Sequence, residues 1–197
     1  MELALSICLG IGLSAACGFR IFVPLLGMSA AALAGQLPLS PGFEWVGTWP
    51  ALACFTTATV LEVAAYYVPW IDNLLDSMAT PAAVVAGTMI TASVVTDMPP
   101  LWQWTLAGIG GGGTAGLVQT ATVALRGTSS ATTGGLANFL VATAELVASI
   151  CTTLLALLLP IFCVGLLLLS GGLVLARLGR RRERLAVAGT RQGPGPA

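Results

Sequence analysis

The chain has 197 residues, 56% of them hydrophobic and only 8% charged, with a formal net charge of zero and a mean hydropathy of +0.93. A soluble domain carries about 25% charged residues and a disordered chain needs low hydrophobicity with high charge, so both classes are excluded. The zero charge is a sum of opposites: all eight basic residues are Arg, six of them (Arg177, Arg180, Arg181, Arg182, Arg184 and Arg191) in the last 21 residues, so the tail 177–197 carries +5 and the body 1–176 carries −5.

The first apolar stretch, Leu3 to Ala34, holds 32 residues and would be about 48 Å long as one straight helix. That exceeds one upright membrane span. Cys17-Gly18-Phe19-Arg20 followed by Pro24 marks its middle as a kink or break, which leaves one tilted, kinked helix or a span plus a half-helix. The start has no basic region and carries Glu2, so a cleaved signal peptide is not expected. After a Pro/Gly loop, Gln36 to Phe43, a second span is expected from Glu44 to Val68. Trp70, Ile71, Leu74, Leu75 and Met78 then form a stripe opposite Asp72, Asn73, Asp76 and Ser77, the pattern of a short interfacial amphipathic helix.

A third span is expected over Pro81 to Val95, ended by Asp97-Met98-Pro99-Pro100, and a fourth over Leu101 to Leu125. A polar loop, Arg126 to Gly135, follows. The last apolar run, Leu136 to Ala176, has 41 residues, about 61 Å if straight, and so must hold two spans with Pro160 at their turn. The fold expected is therefore an all-α, polytopic transmembrane helical bundle of about six spans plus one interfacial helix. Residues 1–176 form its single domain and 177–197 an Arg-rich, disordered tail.

Positive residues stay cytoplasmic, which places the tail inside and, with six crossings, the N-terminus inside as well. Loops with Glu44 and Asp97 then face out. Trp45, Trp49, Trp70, Trp102 and Trp104 all fall at span ends, as aromatic belts require. Gly10-Ile11-Gly12 with Gly18 matches Gly108-Ile109-Gly110 with Gly116, and Ala58 to Ala64 around Glu62 echoes Ala142 to Ala148 around Glu145. Such a repeat implies two inverted three-helix halves.

No His is present, which removes bis-His haem, HExxH zinc proteases and Ser-His dyads. The five cysteines lie in apolar stretches without CxxC spacing, so no metal site, disulfide framework or cofactor is expected. No nucleophile–base pair is visible, and no enzyme activity is expected.

Charge at membrane depth is costly and marks a site or an internal pair. Arg20, Glu62 and Glu145 qualify. One reading has Glu62 and Glu145 lining a path for a proton, cation or small solute with Arg20 as counter-charge; the other has Arg20 tying helices together through one Glu. Asp72 and Asp76 read as a solvated helix face or as further ion ligands. Gly108, Gly112 and Gly116 are four apart, which suits close helix packing, within the chain or between copies, or an unwound segment lining a cavity. The hydroxyl-rich loop with Thr132, Thr133, Gly134 and Gly135 is either an ordinary turn or a segment that dips back to bind an ion. The lipid bilayer is the expected partner, a homo-oligomer or larger membrane complex is compatible with the sequence, and nothing calls for nucleic acid.

Three stretches carry a family resemblance: Gly18-Phe19-Arg20-Ile21-Phe22-Val23-Pro24-Leu25-Leu26; Glu62 through Val68-Pro69 to Asp72 and Asp76; and Ala131-Thr132-Thr133-Gly134-Gly135-Leu136 with Asn138, leading to Glu145. In order and spacing the chain resembles the bacterial membrane-protein family known as domain of unknown function 4126. It differs in having Tyr66-Tyr67 where the family has an Asp-Lys pair and Glu145-Leu146 where the family has two acids. The resemblance implies a multi-pass protein of the bacterial cytoplasmic membrane and supplies no reaction. Two functions are left: a small transporter or channel-like protein using intramembrane carboxylates, or a non-catalytic accessory or assembly subunit whose buried charges are structural and whose Arg tail meets anionic lipid or a partner.

Overall fold

The computed structural model describes the backbone of residues 2–134 and 137–191, and their side chains apart from 69–74, 76, 77, 175, 178, 179 and 181–191. The described residues form helices joined by short turns and loops, with no strand among them. In chain order they form α1 (Leu3–Cys17), α2 (Phe22–Leu33), a 3-10 turn (Glu44–Gly47), α3 (Trp49–Ala65), α4 (Pro69–Val94), α5 (Pro100–Leu106), a π-helical turn (Ala107–Gly112), α6 (Gly113–Thr133), α7 (Asn138–Leu158) and α8 (Pro160–Arg191). Proline opens α4, α5 and α8, where its missing N–H removes a donor that would have no helical partner. Gly134 ends α6 at a φ of 65°, a left-handed position that Gly takes without a Cβ penalty. Among the described residues one helix, Asn138–Leu158, is long and apolar enough to cross a membrane by length and composition, and five shorter apolar helices accompany it.

The first apolar stretch folds back on itself. Along α1, Ser14 donates to the Gly87 carbonyl of α4 at 2.8 Å, while Gly10 lies against Thr91, so α1 and α4 are antiparallel. Along α2, Ile21 and Phe22 lie with Ala79 and Ala82, while Ser93 donates to Met28 Sδ at 3.3 Å, so α2 and α4 are parallel. The same opposition holds against α7, where Ser149 reaches the Ala16 carbonyl at 3.0 Å and Gly12 meets Ala156, but Gly27 meets Thr153. Helices α1 and α2 are thus an antiparallel hairpin whose tip, Gly18 to Ile21, points into the bundle. A Cβ at Gly18 would stand 2.6 Å from the Ala115 carbonyl oxygen, so only glycine lets the tip approach α6 this closely.

The hairpin gives the bundle two distinct ends. Residue Leu9, Ala34 and Pro160 share a groove at one end, where Ser40 of the loop after α2 also donates to the Val95 carbonyl at 2.8 Å. The α3–α4 turn, the α6–α7 connection and the C-terminal part of α8 lie at the other. Helices α3 and α7, which carry Glu62 and Glu145, run in opposite directions. The two glycine-rich segments do not: Ile11 lies beside Gly110, and Gly18 beside Ala115 and Val118, so α1 and the π-turn–α6 rod are parallel neighbours. The glycine match is therefore not part of an inverted pair.

Small residues seal the contact between α4 and this rod. A Cβ at Gly87 would lie 2.6 Å from Ala115 Cβ and one at Gly116 2.8 Å from Val84, while Gly111 and Gly112 are pressed on Thr91 and Thr88; Gly108 has open space around it. The extra residue of the π turn shifts the expected four-residue stripe, so that Gly111, Gly112 and Gly116 face α4 and Gly108 does not. Buried hydroxyls add hydrogen bonds across these seams, as between Ser14 and Thr91 at 2.9 Å.

Other expectations are revised. The interfacial helix and third span form a single α4, with Pro81 inside it. The loop expected from Arg126 is helical as far as Thr133, and α8 continues past Ala176 into the Arg-rich segment. Large apolar side chains, among them Trp49, Leu101, Ile109, Leu117, Leu158 and Leu168, cover the outside, while Ser6, Ser14, Arg20, Ser29, Thr91, Gln119, Arg126, Glu145 and Ser149 are buried. Gly87→Ala is expected to destabilise the fold by about 1–3 kcal/mol through overpacking, whereas Gly108→Ala is expected to be neutral or stabilising by up to about 1 kcal/mol from helix propensity. Reversible unfolding of both variants in mixed detergent micelles measures the difference.

Candidate functional site

The hairpin tip carries Arg20 into the centre of the bundle, where it is 2% exposed; Arg126 is 3% exposed and Glu145 4%. Arg126 Nε donates to Glu145 Oε1 at 2.9 Å, and its Nη2 donates to the other carboxylate oxygen. Arg20 Nη2 lies 3.5 Å from that same Oε2 and donates to the Ala142 carbonyl at 2.8 Å. One carboxylate on α7 is thus shared by guanidinium groups from the hairpin tip and from α6.

Two cations so close repel, and Tyr66 at the end of α3 offsets part of this. Its ring receives the Arg20 guanidinium 3.7 Å from the centroid and that of Arg126 at 4.3 Å. Such cation–π contacts reach about 2 kcal/mol when desolvated. Glu62, one helical turn before Tyr66, accepts hydrogen bonds from the backbone N–H of Ile21 at 2.8 Å and of Phe22 at 3.1 Å. The start of α2 has no local side-chain cap, and its third residue is Pro24, which has no N–H. A carboxylate from a different helix therefore satisfies the amides that the break at Gly18–Arg20 exposes.

Arg20 is not fully occupied. Its Nε and Nη1 are buried and have no hydrogen-bond partner among the described residues. Tyr66 also lines a cleft of about 490 Å³ between α3 and α4, together with Ile21, Phe22, Leu61, Glu62 and Met78 among others.

The structure therefore joins Arg20 and Glu145 directly and brings Glu62 to the same hairpin tip. Gly112 and Gly116 serve helix packing within the chain. Thr132 and Thr133 are exposed and donate back to carbonyls one turn earlier, Thr128 at 2.9 Å and Ser129 at 2.8 Å, and Thr133 accepts from the Ala137 N–H at 3.2 Å. With Gly134 left-handed, they form a helix terminus. The side chains of Asp72 and Asp76, and Gly135, lie outside the described residues. Sequence reasoning missed Arg126, read as a loop residue, and Tyr66. The signal for Arg126 was present: the body has only two basic residues, and each had to find an acid if buried.

These features define an all-helical bundle with a fold-back hairpin and a buried Arg–Glu–Arg centre. The family described as Domain of unknown function (DUF4126) matches residues 7–180, and the chain belongs to it. No curated protein and no solved structure matches the chain.

Glu145→Ala leaves two buried guanidinium groups without their shared carboxylate and is expected to destabilise by about 3–5 kcal/mol. Arg126→Met with Glu145→Met removes charge from both partners and is expected to recover part of that loss. A double-mutant cycle of unfolding in detergent measures the coupling; a coupling near zero would contradict the geometry.

Proposed function

We propose that this chain is a polytopic membrane protein that moves a small solute past the tip of the α1–α2 hairpin. The membrane reading is supported by the many large apolar side chains on the exterior, over an interior that also buries Arg20, Gln119, Arg126 and Glu145, since a soluble monomer rarely exposes so much contiguous apolar surface, and by the apolar helix Asn138–Leu158. In this reading α3, α4, the α5–α6 rod, α7 and α8 cross the bilayer, and the hairpin enters and leaves from one face. With the Arg tail cytoplasmic, the N-terminus and the loops bearing Glu44 and Asp97 lie on the opposite face. This replaces six crossings by five plus a re-entrant pair, with the inversion confined to the α3–α4 and α7–α8 pairs.

The single observation that carries the transport reading is the interrupted helix at depth. Transporters bind solutes where broken helices present uncompensated backbone and charge near the membrane centre. Here Gly18 to Ile21 makes such a break, with Arg20 on it and Glu62 capping it from α3. Both carboxylates are engaged, Glu145 by two guanidinium groups and Glu62 by two amides, so they hold the framework while the open valence belongs to Arg20. The alternative, an accessory subunit with a static charge tie, draws its support from the deep burial of the Arg126–Glu145 pair.

Movement of the hairpin separates the two readings, and Cys17 supplies a native probe. It is fully buried at the tip, its thiol directed at the Ile21 carbonyl at 3.7 Å. In a variant with Cys8, Cys54, Cys151 and Cys163 replaced by Ala, slow labelling of Cys17 by a membrane-permeant maleimide is expected. Glu62→Gln in that background is expected to speed labelling about tenfold, since weakening a charge-assisted cap by about 1.4 kcal/mol raises the open population by that factor. Complete protection of Cys17 in both variants favours the static tie.

A further inference from the structure

We infer that the cleft between α3 and α4 receives the hydrocarbon chain of a single-chain anionic amphiphile, whose acid head group is taken up by Arg20. The inference rests on the solute-moving reading above and adds the class of solute. Two independent observations meet at Tyr66. The first is the cleft: its volume, about 490 Å³, falls in the range of ligand sites. Phe22, Ala58, Leu61, Ala65, Met78 and Ala82 make it apolar along its length. Its lining residues Leu61 and Met78 are exposed on the apolar exterior, which in a membrane faces lipid chains rather than water. A hydrophilic solute would lose its hydration there without replacement.

The second observation is the guanidinium of Arg20, which lies over the ring of Tyr66, a residue that also lines the cleft. Its Nε and Nη1 donors are buried with no partner among the described residues. Buried donors are matched by acceptors in folded proteins, and an acid oxygen forms the stronger, charge-assisted bond with Arg. Glu62, the carboxylate among the described residues that line the cleft, already accepts from two amides, so it is not open to a cationic head. Rotation of Tyr66, which sits beyond the last turn of α3, connects the apolar cleft to the guanidinium. The polarity is that of a lipid acid: chain outside, acid inside.

The experiment uses the full chain purified in a neutral detergent. Dodecanoate and dodecyl phosphate are the probes, and dodecyltrimethylammonium and dodecanol the controls, with binding read by calorimetry. Saturable binding of both acids, with neither control competing, is expected. Ala82→Phe, which fills the cleft and leaves the charge centre intact, is expected to abolish it. Arg20→Gln, scored only if its gel-filtration profile matches that of the parent, is expected to weaken it at least about tenfold, the effect of one charge-assisted bond. If that variant does not fold, the charge requirement is read from the four probes alone. Equal binding of the cationic amphiphile, unchanged binding in Ala82→Phe, or no binding of either acid overturns the inference. Cys17 labelling without acid binding leaves the transport reading standing and removes the amphiphile; acid binding with Cys17 protected does the reverse, leaving a lipid site on a static protein.

Discussion

Glu145 accepts from Arg126 and pairs in charge with Arg20, two arginines from different parts of the chain, and the rest of the structure is arranged around that shared carboxylate. Arg20 arrives on a hairpin tip and Arg126 on the straight rod of α6. Neither guanidinium is stable so deeply buried without a partner. The position of α7 is thereby tied to the hairpin and to α6 at once, with the Tyr66 ring of α3 laid against both cations. Four elements meet through one acid and one aromatic ring. The apolar residues around them fill space, but apolar contact is non-directional and imposes less on the arrangement than the hydrogen-bonded charges do.

Glu62 solves a different problem with the same functional group. Folding a helix back in the middle of a bundle exposes amides that water cannot reach. Glu62 meets two of them, and Pro24 removes a third donor by its chemistry. The two acids therefore divide the work: Glu145 balances side-chain charge, and Glu62 closes a broken backbone. Each carboxylate is thus occupied by donors of this chain, Glu145 by guanidinium groups and Glu62 by backbone amides.

Much of this was legible in the sequence, and the parts that were not fail for identifiable reasons. Arg20, Glu62 and Glu145 stand out because charge is expensive at membrane depth, and the structure gathers all three at one tip. Pro160 marked the α7–α8 turn, which falls at Leu159. The fold-back of Leu3 to Ala34 was hidden because both helices are apolar nearly all round, so their residues carry no periodicity that distinguishes a straight rod from a hairpin. Pro81 suggested a break, yet α4 runs through it. Arg126 was hidden by the Gly, Ser and Thr residues that follow it, which suit a loop but here back-bond within α6. Tyr66 carried no signal, since an aromatic residue near a helix end reads as an interface anchor.

The hairpin also sets an order of assembly. Arg20 is made early in synthesis, while the carbonyl and carboxylate that receive it, on Ala142 and Glu145, lie more than a hundred positions later. Glu62, which caps the break, is separated from it by 41 residues. From the emergence of the hairpin until α7 is in place, the chain holds a cation at depth with its acid not yet available. Such non-local closure is slow, and it exposes the incomplete form to mispairing. The hairpin therefore completes its ion pair only after α7 has been made, although it stands first in the chain.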